Sequence, residues 1–144
     1  MPVFELEIPA RPSEVGRVRR AVRAAVVRYG LDADHADTAQ LLASELVMNA
    51  VLHGCEPIVV RVSVERDSTV IEVFDAGDRF PEVVPGATPG RRGLHVVATL
   101  CSDWGVVTGD GGGKTVWCAV AHSPNVEGPG GARPQRRADD RTNL

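Results

Sequence analysis

The chain has 144 residues, a net charge of -3 and a hydrophobic content of 43%, which together indicate one ordinary globular core. The acidic balance argues against a general nucleic-acid binder, and no apolar run reaches the roughly 18 residues that a membrane helix needs. The start of the chain lacks the features of a signal peptide, so we expect a cytoplasmic protein. Three cysteines with no CxxC pair argue against a disulfide framework and a structural zinc site.

The first half of the chain predicts one strand and two helices. Alternating apolar residues predict a strand from Phe4 to Ile8. The helix that follows is expected to be capped by Ser13 and ended by Gly30, with valines at helical spacing. Its arginines form either a solvated face or a partner-binding surface. A second helix, apolar on nearly every side, is predicted from Asp34 to His53.

The second half predicts two hairpins and a third helix, with a Pro- and Gly-rich loop before that helix. The strands are expected at residues 58–64, 70–74, 106–108 and 114–120, the loop at 79–92 and the helix at 93–102. Because strand pairs dominate, the fold class is α+β: a two-layer α/β sandwich whose mixed, mostly antiparallel sheet carries three helices on one face. The domain spans residues 1–122, and residues 123–144 have the composition of a disordered tail.

A polar stripe on the second helix is the first functional signal. Glu45, Asn49 and His53 recur every four residues, so they share one face of a helix that is otherwise apolar. A buried carboxylate is costly without a partner, and amide and carboxylate oxygens suit Mg²⁺. The stripe therefore faces either a ligand or, alternatively, a hydrogen-bonded polar seam inside the core.

Two further segments have the chemistry of a nucleotide site. Asp75 and Gly77 follow a strand, where a carboxylate can accept from an exocyclic amine and a glycine lets a flat ring approach; a plain turn is the alternative. The segment from Gly90 to Gly93 opens a helix with free N–H groups and two arginines, which favour phosphate; a basic loop junction is the alternative.

Taken together, these segments resemble the nucleotide site of the histidine-kinase-like ATPases. ELVMNAVLHG (45–54) resembles their N-box, and DAG (75–77) and GRRGLHVV (90–97) resemble their two glycine boxes. GGGKTVW (111–117) is similar to the final, threonine-bearing strand. The resemblance covers nearly all of residues 1–122 and implies a Bergerat-type fold. Because the compact form has no dimerisation helix with a phospho-acceptor histidine, it most resembles bacterial anti-sigma-factor serine kinases.

The resemblance also implies a role for each matching residue. Asn49 is expected to coordinate a Mg²⁺ ion that bridges the ATP phosphates, and Glu45 to act as general base. Asp75 is expected to accept a hydrogen bond from the adenine amino group, with Gly77 beside the ring. The other nucleotide contacts that it implies are His53, Thr115 near adenine, and a phosphate-covering segment of Gly90, Arg91, Arg92, Gly93 and Leu94.

The implied function is that of an ATP- and Mg²⁺-dependent serine protein kinase that binds a sigma factor and phosphorylates an anti-anti-sigma protein. A homodimer through the N-terminal strand is expected, with no direct nucleic-acid or membrane partner. Asp78 and Arg79 stand where the family often has another glycine, and Arg91 where a small residue is common. These departures favour an alternative: a non-catalytic nucleotide-binding module that controls a protein partner through its phosphate-covering segment, the ATP lid. The third reading is a soluble α/β domain with a polar seam.

Overall fold

The computed structural model describes residues 2–78, 93–122 and 140–142. The elements in chain order are β1 (Pro2–Ile8), α1 (Glu14–Arg28), α2 (Ala33–His53), β2 (Ile58–Val64), β3 (Ser68–Asp75), α3 (Gly93–Leu100), β4 (Asp103–Thr108), β5 (Lys114–Ala121) and β6 (Asp140–Thr142). No helix of the described segments is long and apolar enough to cross a bilayer.

The strands form a six-stranded sheet in the order β1-β2-β3-β5-β4-β6. Each pairing between described strands is antiparallel. The predicted α+β fold class is confirmed. The prediction of a mixed sheet also allowed for parallel pairs, and none occurs among the described strands. β1 lies at one edge of the sheet, as the proposed homodimer would require.

Strict alternation along the strands separates two apolar clusters. The inner face of the sheet, which includes Val73, Val116 and Cys118, packs into the main core with the helices. The intervening residues form a smaller cluster on the outer face: Val70, Val107, Trp117 and Ala119.

The first helix is held by its valines and closed by Gly30. The valines at the predicted spacing are buried in the main core: Val18, Val22 and Val26. Gly30 adopts a φ of 85°, and its N–H donates to the carbonyl of Val27 at 2.9 Å, which closes the helix in a Schellman-type turn. The Ser13 prediction is wrong in one respect: its side chain makes no capping hydrogen bond, because its backbone is already helical.

Part of the arginine cluster on α1 joins the two long helices. The Arg23 guanidinium donates to the carboxylate of Asp37 at 2.7 Å and to the side-chain carbonyl of Gln40 at 2.8 Å, both on α2. α2 itself begins one residue before the predicted position, because the Asp32 side chain accepts the N–H of His35 at 2.8 Å. The helix ends at His53 as predicted.

The predicted tail spans residues 123–144, and most of it lies outside the described residues. Its described part, Asp140–Thr142, forms a short strand, β6, that pairs with β4. For the remainder of that stretch, disorder stays a prediction.

Candidate functional site

Asp75, the last residue of β3, is the most buried charged group of the candidate site. It is 1% exposed, and its Oδ1 accepts two hydrogen bonds. One comes from the N–H of Gly77 at 2.8 Å and one from the Nζ of Lys114 at 2.9 Å. The carboxylate is therefore fixed in orientation by a tight turn on one side and by a buried cation on the other.

Three glycines allow the chain to wrap closely around this aspartate. A Cβ on Gly54 would lie 2.5 Å from the Asp75 Cγ, and one on Gly77 would lie 2.9 Å from its Oδ1. A Cβ on Gly113 would lie 2.8 Å from the Asp75 carbonyl oxygen, and Gly113 also has a φ of 80°. Gly54 and Gly113 thus permit close approach to Asp75, and neither was predicted as a site residue from the sequence.

The three residues of the polar stripe of α2 differ in burial. Glu45 is half-buried, Asn49 is 8% exposed, and His53 is exposed at the last turn. Because Gly54 ends the helix against Asp75, Asn49 lies only ~7.5 Å back along the helix axis from that contact. The structure therefore brings Asn49 and Asp75 to the same end of the sheet.

The amide of Asn49 and the carboxylate of Glu45 are both free of protein partners within the described segments. Glu45 lines a groove of about 400 Å³ together with Arg19 of α1 and neighbouring residues of its own helix. Neither side chain carries a fully sealed polar atom, so both can reach solvent or a ligand, and the described residues form no hydrogen-bonded seam around them.

Thr115 does not lie with the other predicted nucleotide contacts. In the pairing of β3 with β5, Thr115 lies opposite Phe74, the residue before Asp75. Because side chains alternate between the two faces of a sheet, the Thr115 side chain lies on the outer face, away from that of Asp75. Lys114 occupies the inner position opposite Asp75. The predicted contact of Thr115 with adenine is therefore corrected: consecutive residues of a strand point to opposite faces of the sheet, and Lys114, not Thr115, shares the face of Asp75.

Lys114 was missed as a site residue, although the sequence contained a signal. It is the sole lysine among 16 basic residues, and apart from Thr115 the rest of its strand is apolar. Three residues of the predicted phosphate-covering segment, Gly90, Arg91 and Arg92, lie outside the described residues. Gly93 and Leu94 form the first turn of α3.

Comparisons with known proteins find a matching family model and similar kinases. Residues 8–120 match the family model described as the histidine kinase-like ATPase domain. The serine-protein kinase RsbW of Bacillus velezensis is 28% identical over 75% of this chain and 79% of its own length. RsbW of Bacillus subtilis is 30% identical over 69% of this chain and 74% of its own length.

A solved structure shares the fold. It contains the RsbU and RsbW domains of Rv1364c from Mycobacterium tuberculosis and aligns with a TM-score of 0.65 at 23% identity. The alignment covers 86% of this chain but only 33% of that one, so the likeness supports the fold of the shared domain and nothing further.

Proposed function

The chain belongs to the histidine kinase-like ATPase domain family, and on this basis we propose that it is an ATP- and Mg²⁺-dependent serine protein kinase. Its proposed partners are a sigma factor, which it binds, and an anti-anti-sigma protein, which it phosphorylates. The observation that carries the proposal is the unpartnered pair of Glu45 and Asn49 on one face of α2, a helix whose last residues meet Asp75 at Gly54.

Asp75 is proposed to hold the adenine end of ATP. A carboxylate that is buried and fixed by two donors has a set direction, so it can select a ligand amino group by geometry. Gly77 supports this role, because the missing side chain leaves room for a flat ring beside the carboxylate.

Asn49 is proposed to hold Mg²⁺ through its amide oxygen. Within the described segments, no three acidic, histidine or cysteine side chains are grouped so that they could hold a metal by themselves. A single amide oxygen fits Mg²⁺, which commonly retains water and takes the rest of its ligands from substrate phosphates. The ion would neutralise phosphate charge, and Asn49 would fix its position.

Glu45 is proposed to take the proton from the acceptor serine. Its carboxylate is one helical turn from Asn49, so it lies near the metal-bound end of the nucleotide, and it borders an open groove that a protein segment can enter. Phosphoryl transfer requires mainly positioning and charge neutralisation, which these two side chains can supply.

Phosphotransfer from γ-labelled ATP to candidate anti-anti-sigma proteins tests the proposal. The wild-type protein should label a serine, and Glu45→Gln should lower the rate by about 10²- to 10⁴-fold while keeping ATP affinity. Glu7→Gln, a matched change of an exposed glutamate on β1, should leave both unchanged.

Two results would contradict the kinase proposal. One is tight ATP binding with no serine labelled in any candidate protein. The other is a Glu45→Gln protein that transfers phosphate at the wild-type rate. If ATP changes the affinity for a protein partner equally in wild type and Glu45→Gln, the non-catalytic regulatory module is the better account.

A further inference from the structure

A buried ion pair lies at the end of the sheet where the nucleotide base is proposed to bind. Asp75 ends β3 and Lys114 begins β5, and the antiparallel register places the two residues directly opposite each other. The Lys114 side chain is 4% exposed, and its Nζ donates to Asp75 Oδ1 at 2.9 Å. Lys114 offsets the charge of a carboxylate that would otherwise be buried alone.

The pair retains unused hydrogen-bonding capacity. Asp75 Oδ1 accepts both hydrogen bonds described above, whereas Oδ2 accepts from no described residue. The Lys114 ammonium has three donors and uses one of them within the described segments. The Asp75 side chain is 2% exposed, and its Oδ2 is not among the fully sealed, unpartnered atoms of the described residues, so this oxygen keeps a narrow opening.

Side by side, Asp75 Oδ2 and Lys114 Nζ present one acceptor and one donor. The Watson–Crick edge of adenine carries the complementary order, a donor at the 6-amino group and an acceptor at N1. Guanine carries the reverse order, an acceptor at O6 and a donor at N1. A base whose 6-position faces Asp75 is therefore accepted as adenine and rejected as guanine.

Building on the proposed ATP site, we propose that Lys114 is a specificity-determining residue that donates a hydrogen bond from Nζ to adenine N1 while Asp75 Oδ2 accepts from the 6-amino group. Recognition then depends on two adjacent contacts of opposite polarity rather than on the carboxylate alone. A hydrogen bond from a charged donor contributes roughly 10- to 100-fold in affinity at a buried site.

Equilibrium binding of ATP and 1-deaza-ATP tests the Lys114 contact directly. The analogue replaces N1 by a C–H group and keeps the 6-amino group. Wild-type protein should bind it at least about 10-fold more weakly than ATP. Lys114→Met keeps a long unbranched side chain, one atom shorter than lysine, but has no donor, so it should bind ATP and the analogue with nearly equal affinity. Purine riboside triphosphate, which lacks the amino group, should bind more weakly than ATP to both proteins.

A second measurement avoids any variant that fails to fold. Because Lys114 is the sole lysine of the chain, protein labelled with ¹⁵N at lysine Nζ gives a single side-chain signal to follow. ATP should shift this signal, and 1-deaza-ATP should shift it much less.

Equal shifts with both nucleotides, or the same ATP preference in wild type and Lys114→Met, would overturn the proposed role of Lys114. Failure of the wild-type protein to bind ATP at all would instead overturn the proposed function, and this inference with it.

Discussion

Gly54 shows most clearly how a single residue shapes the site. Its φ of -99° and ψ of -168° are open to any residue, so a side chain there would meet no backbone strain. A Cβ would nevertheless lie 2.5 Å from Asp75 Cγ and 2.7 Å from the Ala50 carbonyl oxygen. The need for glycine at this position is steric, and it comes both from Asp75 and from the Ala50 carbonyl of the last helical turn.

Gly54→Ala should therefore lower the free energy of unfolding by about 1–3 kcal/mol, a typical cost of overpacking, and weaken ATP binding by displacing Asp75. Urea denaturation and equilibrium ATP binding measure the two effects. Gly111→Ala is the matched control, because its added Cβ would meet nothing within 4 Å. Unchanged stability and ATP affinity in Gly54→Ala would contradict the described contact.

The three cysteines should differ in reactivity. Cys55 is exposed, and its Sγ would lie 3.5 Å from a Cβ on Gly77, at the proposed base site. Burial raises the pKa of Cys101 to about 11, and burial likewise raises the pKa of the Cys118 thiol. At pH 8, a thiol reagent should modify Cys55 alone in the native protein, because Cys55 is exposed and the raised pKa of each of the other two thiols keeps it protonated.

ATP with Mg²⁺ should slow the modification of Cys55, since a base beside Gly77 would cover the thiol. The absorbance of the released thiol product follows the reaction, and the denatured protein should release three equivalents. Rapid modification of all three cysteines in the native protein would contradict the described burial.

The sequence predicted the residue types of the site better than their faces. Spacing alone placed Glu45 and Asn49 on one stripe, because helical periodicity is local. The choice between Lys114 and Thr115 depends on which strand face each occupies and on pairing with Asp75, a residue 39 positions away in sequence. Local patterns do not specify that long-range register, and they suggested the wrong neighbour.

At the scale of the elements, a chain of polar contacts ties the beginning of α2 to the far end of the sheet. The ring of His35 contacts Thr69 Oγ1 at 2.8 Å, and Thr69 Oγ1 lies 3.1 Å from His122 Nε2. The two histidine rings are 5.1 Å apart and nearly perpendicular. Burial, and secondarily the nearby His122, lower the pKa of His35 below 6.5; Asp32 opposes this effect.

Stability should consequently fall as the pH is lowered. Between the depressed pKa of native His35 and the unfolded value of 6.5, the unfolded chain binds more protons, so the free energy of unfolding decreases as the pH falls through that window. Urea denaturation at a series of pH values from 7.5 downwards measures the slope. His35→Gln should flatten it, whereas His53→Gln, a change of an exposed histidine, should not. Equal slopes in wild type and His35→Gln would contradict the assignment.

The order of the elements was predictable because both periodicities were clear. The valine spacing of α1 and the long apolar α2 require burial against neighbouring elements, and the alternating strands supplied a sheet. The short strand Asp140–Thr142 was not predicted, because three polar residues carry no apolar alternation, and their pairing with β4 comes from backbone contacts.

At the scale of the whole molecule, the two-layer arrangement gathers the proposed site at one end of the sheet. α2 runs across the inner face and ends at Gly54, beside the end of β3 and the beginning of β5. The polar groups from these three elements converge there, while the His35 contacts lie at the opposite end. Nucleotide binding and the pH response should therefore be separable.

Thermal unfolding with ATP and Mg²⁺ tests the central claim most directly. Saturation at about 100 times the Kd stabilises the native state by about 2.7 kcal/mol, which should raise the wild-type Tm by on the order of 10 °C. Asn49→Ala should lose most of that rise when Mg²⁺ is present and differ little from wild type in EDTA. A wild-type Tm that does not change at millimolar ATP and Mg²⁺ would contradict the proposal that Asn49 and Asp75 form a nucleotide site.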